Sequence, residues 1–169
     1  NSAVFRWSTK PFMVSGFTRQ ETIALTGINS GRLSYLDRTE LVVPEKFGNI
    51  RHPKVVYKWQ QILEIKTIER LREKLSLQET RKVLDFLKSR NYEYSFFQHR
   101  LVFVNSQLYL IENMQDFGLM VLETSGKNQG QVVIHEIGEI GDIITELTIE
   151  AEKHHVLDFD KRTGLVLKR

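Results

Sequence analysis

The sequence predicts an α+β fold with two domains, and three observations lead to this prediction. Apolar residues recur mainly at helical spacing up to residue 90 and alternate as in strands beyond it. Charge changes sign at the same place, because residues 1–90 hold 17 Lys and Arg against 9 Asp and Glu, whereas residues 91–169 hold 7 against 12. A length of 169 residues allows two small domains. We predict one domain over residues 1–90 and an α+β domain with antiparallel strands over residues 91–169.

The composition is that of a folded chain and excludes several function classes. Hydrophobic residues make up 41% of the sequence, which is enough for a core. The sequence contains no cysteine, so disulfides, thiolate metal sites and a cysteine nucleophile are excluded. Its apolar runs fall far short of the roughly 20 residues of a membrane span, and we expect a cytoplasmic location.

The first elements are an arm and a helix. Residues Val4 to Val14 are apolar and interrupted by Pro11, which favours a strand or an extended arm. A helix then starts at Thr18, which can form a capping box with Glu21, and it ends at Gly27.

A second helix follows after a short turn. Asn29 or Ser30 can cap this helix. Leu33 and Leu36, with Leu41, supply its inward-facing apolar side. Two short helices joined by so short a turn have the sequence pattern of a helix-turn-helix.

A basic hairpin and two more helices complete the first domain. Gly and Asn form a turn between apolar stretches in "EKFGNIRHPKVVYKW", and cations gather near its tip, which predicts a wing. The basic residues there are Lys46, Arg51, His52 and Lys54. Residues 59–74 have helical periodicity, and Ser76 starts another helix through a capping box with Glu79.

Strand periodicity dominates the second domain. Asn105-Ser106 and "SGKNQG" are turn signals between alternating segments. The predicted strands are "YEYSFF", "RLVFV", "LYLIE", "FGLMVLE" and "QVVIHEI". A helix follows, with apolar residues recurring from Ile140 to Ala151, and "VLDFD-KRTG-LVLKR" predicts a closing hairpin.

The segment "SGRLSYLDR" has the features of a helix that enters the major groove of DNA. Such a helix needs a slim leading turn and outward hydrogen-bonding side chains, while its rear face packs on the domain. Arg32 can contact guanine in bidentate fashion, and Ser30 and Ser34 can reach bases or phosphate. Tyr35 and Arg38 are placed for backbone oxygens. The alternative is that both arginines are ordinary surface charges and Tyr35 is half-buried.

The stretch "FTRQETIALTGINSGRLSYLDRTELVVPEK", followed by "VVYKW" and "LREKLSLQET", resembles the MerR-type winged-helix DNA-binding domain. In that family a first helix, a "TG(V/I)" turn, a recognition helix with "LRYYER", a "GLLxP" exit and a wing precede two helices entered through a "FSLEE"-like cap. The resemblance covers residues 16–88. A narrower resemblance in overall layout is to the MerR-type repressors carried beside type V-K CRISPR-associated transposons.

The resemblance implies a dimeric transcription regulator that binds two-fold-symmetric promoter DNA. The implied DNA contacts are Arg19, Arg32, Ser34, Tyr35 and Arg38 on the helices and Lys46, Arg51, His52, Lys54 and Lys58 on the wing. Tyr57, at the wing exit, either packs or touches phosphate. Three positions depart from the family pattern, because Ser34 replaces a backbone-binding Arg, Leu36 replaces a Tyr and Glu40 replaces a Gly.

The second domain departs further from that family, because no heptad seam long enough for a coiled coil follows residue 88. The aromatic residues Tyr92, Tyr94 and Phe96 either pair two subunits or fill the domain's own core. The predicted helix carries a row of acidic residues. These residues either face solvent or dock on a basic surface of a second protein such as RNA polymerase. These acids are Glu139, Asp142, Glu146 and Glu150.

We predict no catalytic, cofactor or metal site. Adjacent His154 and His155 diverge by about 100° on a helix, so they cannot chelate one ion together. The leading hypothesis is a nucleoid-associated dimeric repressor that binds a palindromic promoter operator through helix 30–39 and wing 46–54. One alternative is an excisionase-like architectural protein, which a DNA-bending assay would separate. The other is an antitoxin-like adaptor, which would co-purify with a stoichiometric partner.

Overall fold

Helices and short antiparallel strands alternate along the chain in the computed structural model, which gives an α+β fold with small antiparallel sheets. The structure describes residues 16–71, 75–92, 100–104, 107–111, 115, 134–139 and 142–165. The elements in chain order are β1 (Gly16–Thr18), α1 (Arg19–Thr26), α2 (Ser30–Arg38), β2 (Glu45–Phe47), β3 (Lys54–Lys58), α3 (Trp59–Leu71), α4 (Leu77–Ser89), β4 (Arg100–Val104), β5 (Gln107–Ile111), β6 (Ile134–Glu139), α5 (Asp142–Lys153) and α6 (Phe159–Thr163).

The described residues form two compact units. The first contains those up to Glu69 together with those from Ile144 onward, and the second contains those from Arg70 to Ile143. The boundaries therefore fall within α3 and α5. This division differs from the predicted one at residue 90, because the chain returns to the first unit near its end.

The start of the first unit follows the predicted caps. Thr18 and Glu21 form the capping box of α1, and Gly27 ends that helix at φ 73°, a conformation that glycine adopts without steric cost. Asn29 is the N-cap of α2, because its side chain accepts a hydrogen bond from the Arg32 N–H. Strand β3 lies between β1 and β2 in an antiparallel sheet, with Phe17 opposite Tyr57.

The last part of the chain belongs to the first unit through an aromatic cluster. Phe159 of α6 lies 6.1 Å from Phe17 of β1 and 5.6 Å from Trp59 of α3, measured between ring centroids. Ile144 and Leu147 of α5 are also buried. The predicted closing hairpin is wrong where the structure describes it, because Phe159–Thr163 form the helix α6, which is followed by Gly164 at φ 69°.

The second unit contains α4 and a three-stranded antiparallel sheet in the order β5-β4-β6. The capping box of Ser76 and Glu79 is confirmed. The predicted strands "RLVFV", "LYLIE" and "QVVIHEI" correspond to β4, β5 and β6. The strand predictions for "YEYSFF" and "FGLMVLE", and the arm from Val4 to Val14, fall outside the described residues. No helix in the described part of the chain is long and apolar enough to cross a membrane.

Candidate nucleic-acid interface

Helix α2 has one buried side and one exposed polar side. Leu33 and Leu36 are 0% and 2% exposed. Successive helical residues are about 100° apart, so the side opposite these leucines is shared by a few positions. Gly31, Ser34, Tyr35 and Arg38 occupy it, and all are exposed. The leucines therefore anchor α2 while this polar face stays open.

The leading turn of α2 is slim because of its sequence. Among the described residues, a Cβ atom at Gly31 would meet only the Asn29 Oδ1 atom, at an ordinary 3.5 Å. Packing within this part of the chain therefore does not require glycine here. The small residue leaves room outside the helix instead.

One flank of this face is organised by Arg19 at the start of α1. Its terminal nitrogen donates to the Ser30 carbonyl oxygen at 2.9 Å, to Ser30 Oγ at 2.8 Å and to Ser34 Oγ at 3.1 Å. A serine hydroxyl that accepts a hydrogen bond still has its own proton to donate. Both serine side chains are thus held in place, and each hydroxyl keeps a proton that it can donate.

The other flank is organised by Arg32. Its Nε–H donates to Glu69 Oε1 of α3 at 2.7 Å, and the side chains are 29% and 16% exposed. Arg32 was expected on the outside of the helix and instead lies at its edge, half-buried. Sequence reasoning missed Glu69, because helical periodicity does not identify which charge of α3 faces α2.

Arg38 is the cation most open to a ligand on α2. It is exposed, and within the part of the chain that the structure describes its side chain has no hydrogen-bond or ion-pair partner. Its guanidinium therefore keeps its full charge for an external anion.

The β2–β3 hairpin lies beside α2. Lys46 Nζ contacts Asp37 Oδ2 of α2 at 2.6 Å, and Lys58 Nζ contacts Glu45 Oε1 at 3.1 Å. These two predicted DNA contacts therefore already have carboxylate partners. The other basic residues predicted for the wing are exposed along or near the tip, and they are Arg51, His52 and Lys54.

The hairpin is held at both ends. At its tip, Asn49 Oδ1 accepts a hydrogen bond from the Arg51 N–H at 3.0 Å. At its base, Gln61 of α3 accepts from the Lys58 N–H at 2.9 Å and donates to the Val43 carbonyl at 2.7 Å. These bonds fix where the cations of the hairpin lie.

Tyr57 is part of the core. Its side chain is 1% exposed, so it follows the packing alternative that the sequence left open. Burial raises the pKa of Tyr57 above its usual value, although the Arg19 guanidinium nearby acts in the opposite direction. Its ring is not available to a ligand at the surface.

The start of α1 is clamped by Arg162 of α6. The guanidinium donates to both carboxylate oxygens of Glu21 at 2.6 Å and to the Gly16 carbonyl, and it lies 4.3 Å from the Phe17 ring centroid. Burial alone would raise the pKa of Glu21, but the hydrogen bonds from Arg162 and Thr18 outweigh it and lower that pKa. Sequence reasoning missed this pair, whose members are 141 positions apart.

The acidic row of α5 is used partly within the protein. Glu146 contacts Lys66 of α3 at 3.4 Å, and Glu150 contacts His154 at 3.2 Å. The side chains of Glu139 and Asp142 fall outside the described residues. Tyr94 and Phe96 lie outside them too, so pairing of subunits through these aromatics stays a prediction.

Comparison with known proteins adds no relative to this picture. No protein-family model matches the chain, and no curated protein matches it at a significant level.

Proposed function

We propose that the chain is a sequence-specific transcriptional regulator of double-stranded DNA, built on a winged helix-turn-helix. Helices α1 and α2 with their short connection form the helix-turn-helix, and the β2–β3 hairpin is the wing. Helix α2 enters the major groove. The observation that carries the proposal is the slim, exposed polar face of α2, anchored from behind by Leu33 and Leu36.

The side chains divide into two roles. The terminal edge of Arg32, together with Ser30 and Ser34, reads base edges, because guanidinium and hydroxyl groups match the major-groove donors and acceptors. Tyr35 and Arg38 contact the phosphate backbone, as do the exposed cations of the wing, which sets the register of the protein on the duplex. Arg19 acts through the serines that it orders.

The biological output in this proposal is repression by a homodimer on a palindromic operator. This part rests on the resemblance to MerR-type regulators. Light scattering of the purified protein should give twice the mass of one chain. A stable monomer that also binds DNA as a monomer would remove the dimer from the proposal.

Fluorescence anisotropy with labelled duplexes tests DNA binding directly. The protein should bind the DNA upstream of its own gene in the nanomolar range and bind a scrambled duplex much more weakly. Affinity should fall steeply between about 50 and 200 mM salt, because phosphate contacts release counterions. Micromolar binding that is equal for every duplex would contradict the proposal.

Arg38→Ala sharpens this test. Removing an unpaired cation from the phosphate-facing side should weaken binding to all sequences alike and reduce the salt slope by about 1. Lys153→Ala is the control, because Lys153 is an exposed cation of α5 that the proposal does not place at the DNA. Equal effects of the two substitutions would place the DNA elsewhere on the protein.

A further inference from the structure

A carboxylate of α3 holds Arg32 of α2. The Arg32 Nε–H donates to Glu69 Oε1 at 2.7 Å, and the Glu69 side chain is only 16% exposed. Helix α3 is itself linked to α5, because Lys66 Nζ lies 3.4 Å from Glu146 Oε2. The carboxylate therefore belongs to a helix that is fixed within its unit.

The hydrogen bond to Glu69 uses the Nε–H edge of the guanidinium and leaves the terminal edge for another contact. Among the described residues, no hydrogen bond involves the terminal nitrogens of Arg32. A guanidinium is planar and its N–H groups form a rigid fork, so fixing the direction of Nε–H also fixes where the terminal edge points. That edge can pair with both O6 and N7 of one guanine.

We infer that Glu69 is a positioning residue that orients Arg32 for a guanine in the DNA. The inference rests on the proposed function and deepens it by naming one base that the protein selects. Arg32 is ordered when the protein folds, so it loses less side-chain freedom when DNA binds. Arg19 orders Ser30 and Ser34 on the opposite flank in a comparable way.

A latch is the competing role for the same carboxylate. As a latch, Glu69 would neutralise Arg32 and repel phosphate, so its removal would tighten binding to every duplex. As a positioning residue, Glu69 supports the selection of one base, so its removal weakens binding only where that base is present. The two roles therefore predict changes of opposite sign.

The experiment compares Glu69→Gln and Glu69→Ala with the parent protein by fluorescence anisotropy. The probes are the preferred duplex and a set in which each guanine is replaced in turn by 7-deazaguanine, which lacks the N7 acceptor. Glu69→Ala removes the acceptor and should bind the preferred duplex about tenfold more weakly, whereas Glu69→Gln, whose amide oxygen still accepts from the Arg32 Nε–H, should bind closer to the parent. Glu69→Ala should also become insensitive to 7-deazaguanine at one position, while the salt slope stays unchanged because Arg32 keeps its charge.

Two further substitutions separate positioning from a structural role. Arg32→Met removes every N–H donor of this side chain, so it should abolish the same discrimination, and adding Glu69→Ala to it should not change that discrimination further. Glu152→Ala is the matched control, because it removes one exposed carboxylate of α5 that, among the described residues, has no part in holding α3. It should bind every duplex as the parent does, and thermal unfolding should show each variant folded.

Tighter binding of the Glu69 variants to all duplexes would overturn the inference in favour of a latch. Unchanged sensitivity to 7-deazaguanine in Glu69→Ala would overturn it as well. Both results leave the proposed function standing, since the parent protein still selects its duplex. A parent protein that selects no duplex would instead remove the proposed function and this inference together.

Discussion

Glu40 has a backbone conformation that is unfavourable for its side chain. It has φ 58°, in the left-handed region that favours glycine. Its N–H donates to the Asp37 carbonyl and the Leu41 N–H donates to the Leu36 carbonyl, both at 3.0 Å. This pair of bonds is a Schellman motif that closes α2, with Glu40 at the position where glycine is usual. In the resembled family, glycine stands at this position.

Glu40→Gly should therefore stabilise the protein. Relief of the left-handed strain should add about 1 kcal/mol to the free energy of unfolding and raise the Tm by roughly 2 to 4 °C. Thermal unfolding followed by circular dichroism measures this change. Glu40→Ala is the control, because it removes the charge and retains the Cβ atom, and it should give no comparable gain. A Tm that rises equally in both variants would attribute the effect to charge.

At the scale of the helix, we expect the glycine in the first turn of α2 to lower the stability of the protein and to leave room for DNA to approach. Glycine in a helix costs roughly 0.5 to 1 kcal/mol relative to alanine, and the structure has room for a Cβ atom at Gly31. Gly31→Ala should therefore increase the free energy of unfolding by about that amount. If the slim turn serves close approach to DNA, the same substitution should weaken operator binding by about tenfold.

Urea unfolding and anisotropy measured on the same Gly31→Ala preparation check both halves of this prediction. Ile149→Ala is the control, since Ile149 is a neutral residue of α5 that is 56% exposed. It should leave operator binding unchanged. If the Gly31→Ala protein is more stable and binds DNA as tightly as the parent, the glycine is not needed for contact with DNA.

The bounds of α1 and α2 and the start of α4 were predictable from the sequence, whereas the last element was not. The capping boxes at Thr18 and Ser76 are local patterns that a few residues specify. The helices α2, α4 and α5 are followed by the left-handed residues Glu40, Asn91 and His155, which carry weak or no stop signal. The segment around Phe159 alternates like a hairpin, but packing against Phe17 and Trp59 makes it a helix.

At the scale of the whole molecule, ion pairs between residues far apart in the sequence could not be predicted. The exposed face of α2 follows from the positions of Leu33 and Leu36 and was predicted. The orientation of Arg32 depends on Glu69, 37 positions away, and the clamp on α1 depends on Arg162, 141 positions from Glu21. No local spacing encodes either pair, because each requires the chain to return from a distant segment.

The Arg162 clamp predicts how stability depends on pH. The pKa of folded Glu21 lies below its ordinary value of 4.5, so the unfolded chain takes up this proton more readily than the folded one. The clamp therefore stabilises the protein fully above that ordinary value and loses strength as the pH falls through the lower pKa of folded Glu21.

Arg162→Met removes the clamp and isolates this effect in urea unfolding at several pH values. At about pH 7 the variant should be less stable by about 2 kcal/mol, because a half-buried carboxylate loses its charge-assisted hydrogen bonds from Arg162. The difference from the parent should narrow as Glu21 is protonated, without vanishing, since Arg162 also donates to the Gly16 carbonyl. Lys161→Met, at a neighbouring side chain that is 77% exposed, is the control and should show neither effect. A stability difference that stays constant from neutral to acid pH would mean that Arg162 contributes through packing on Phe17 and its carbonyl bonds rather than through the charge of Glu21.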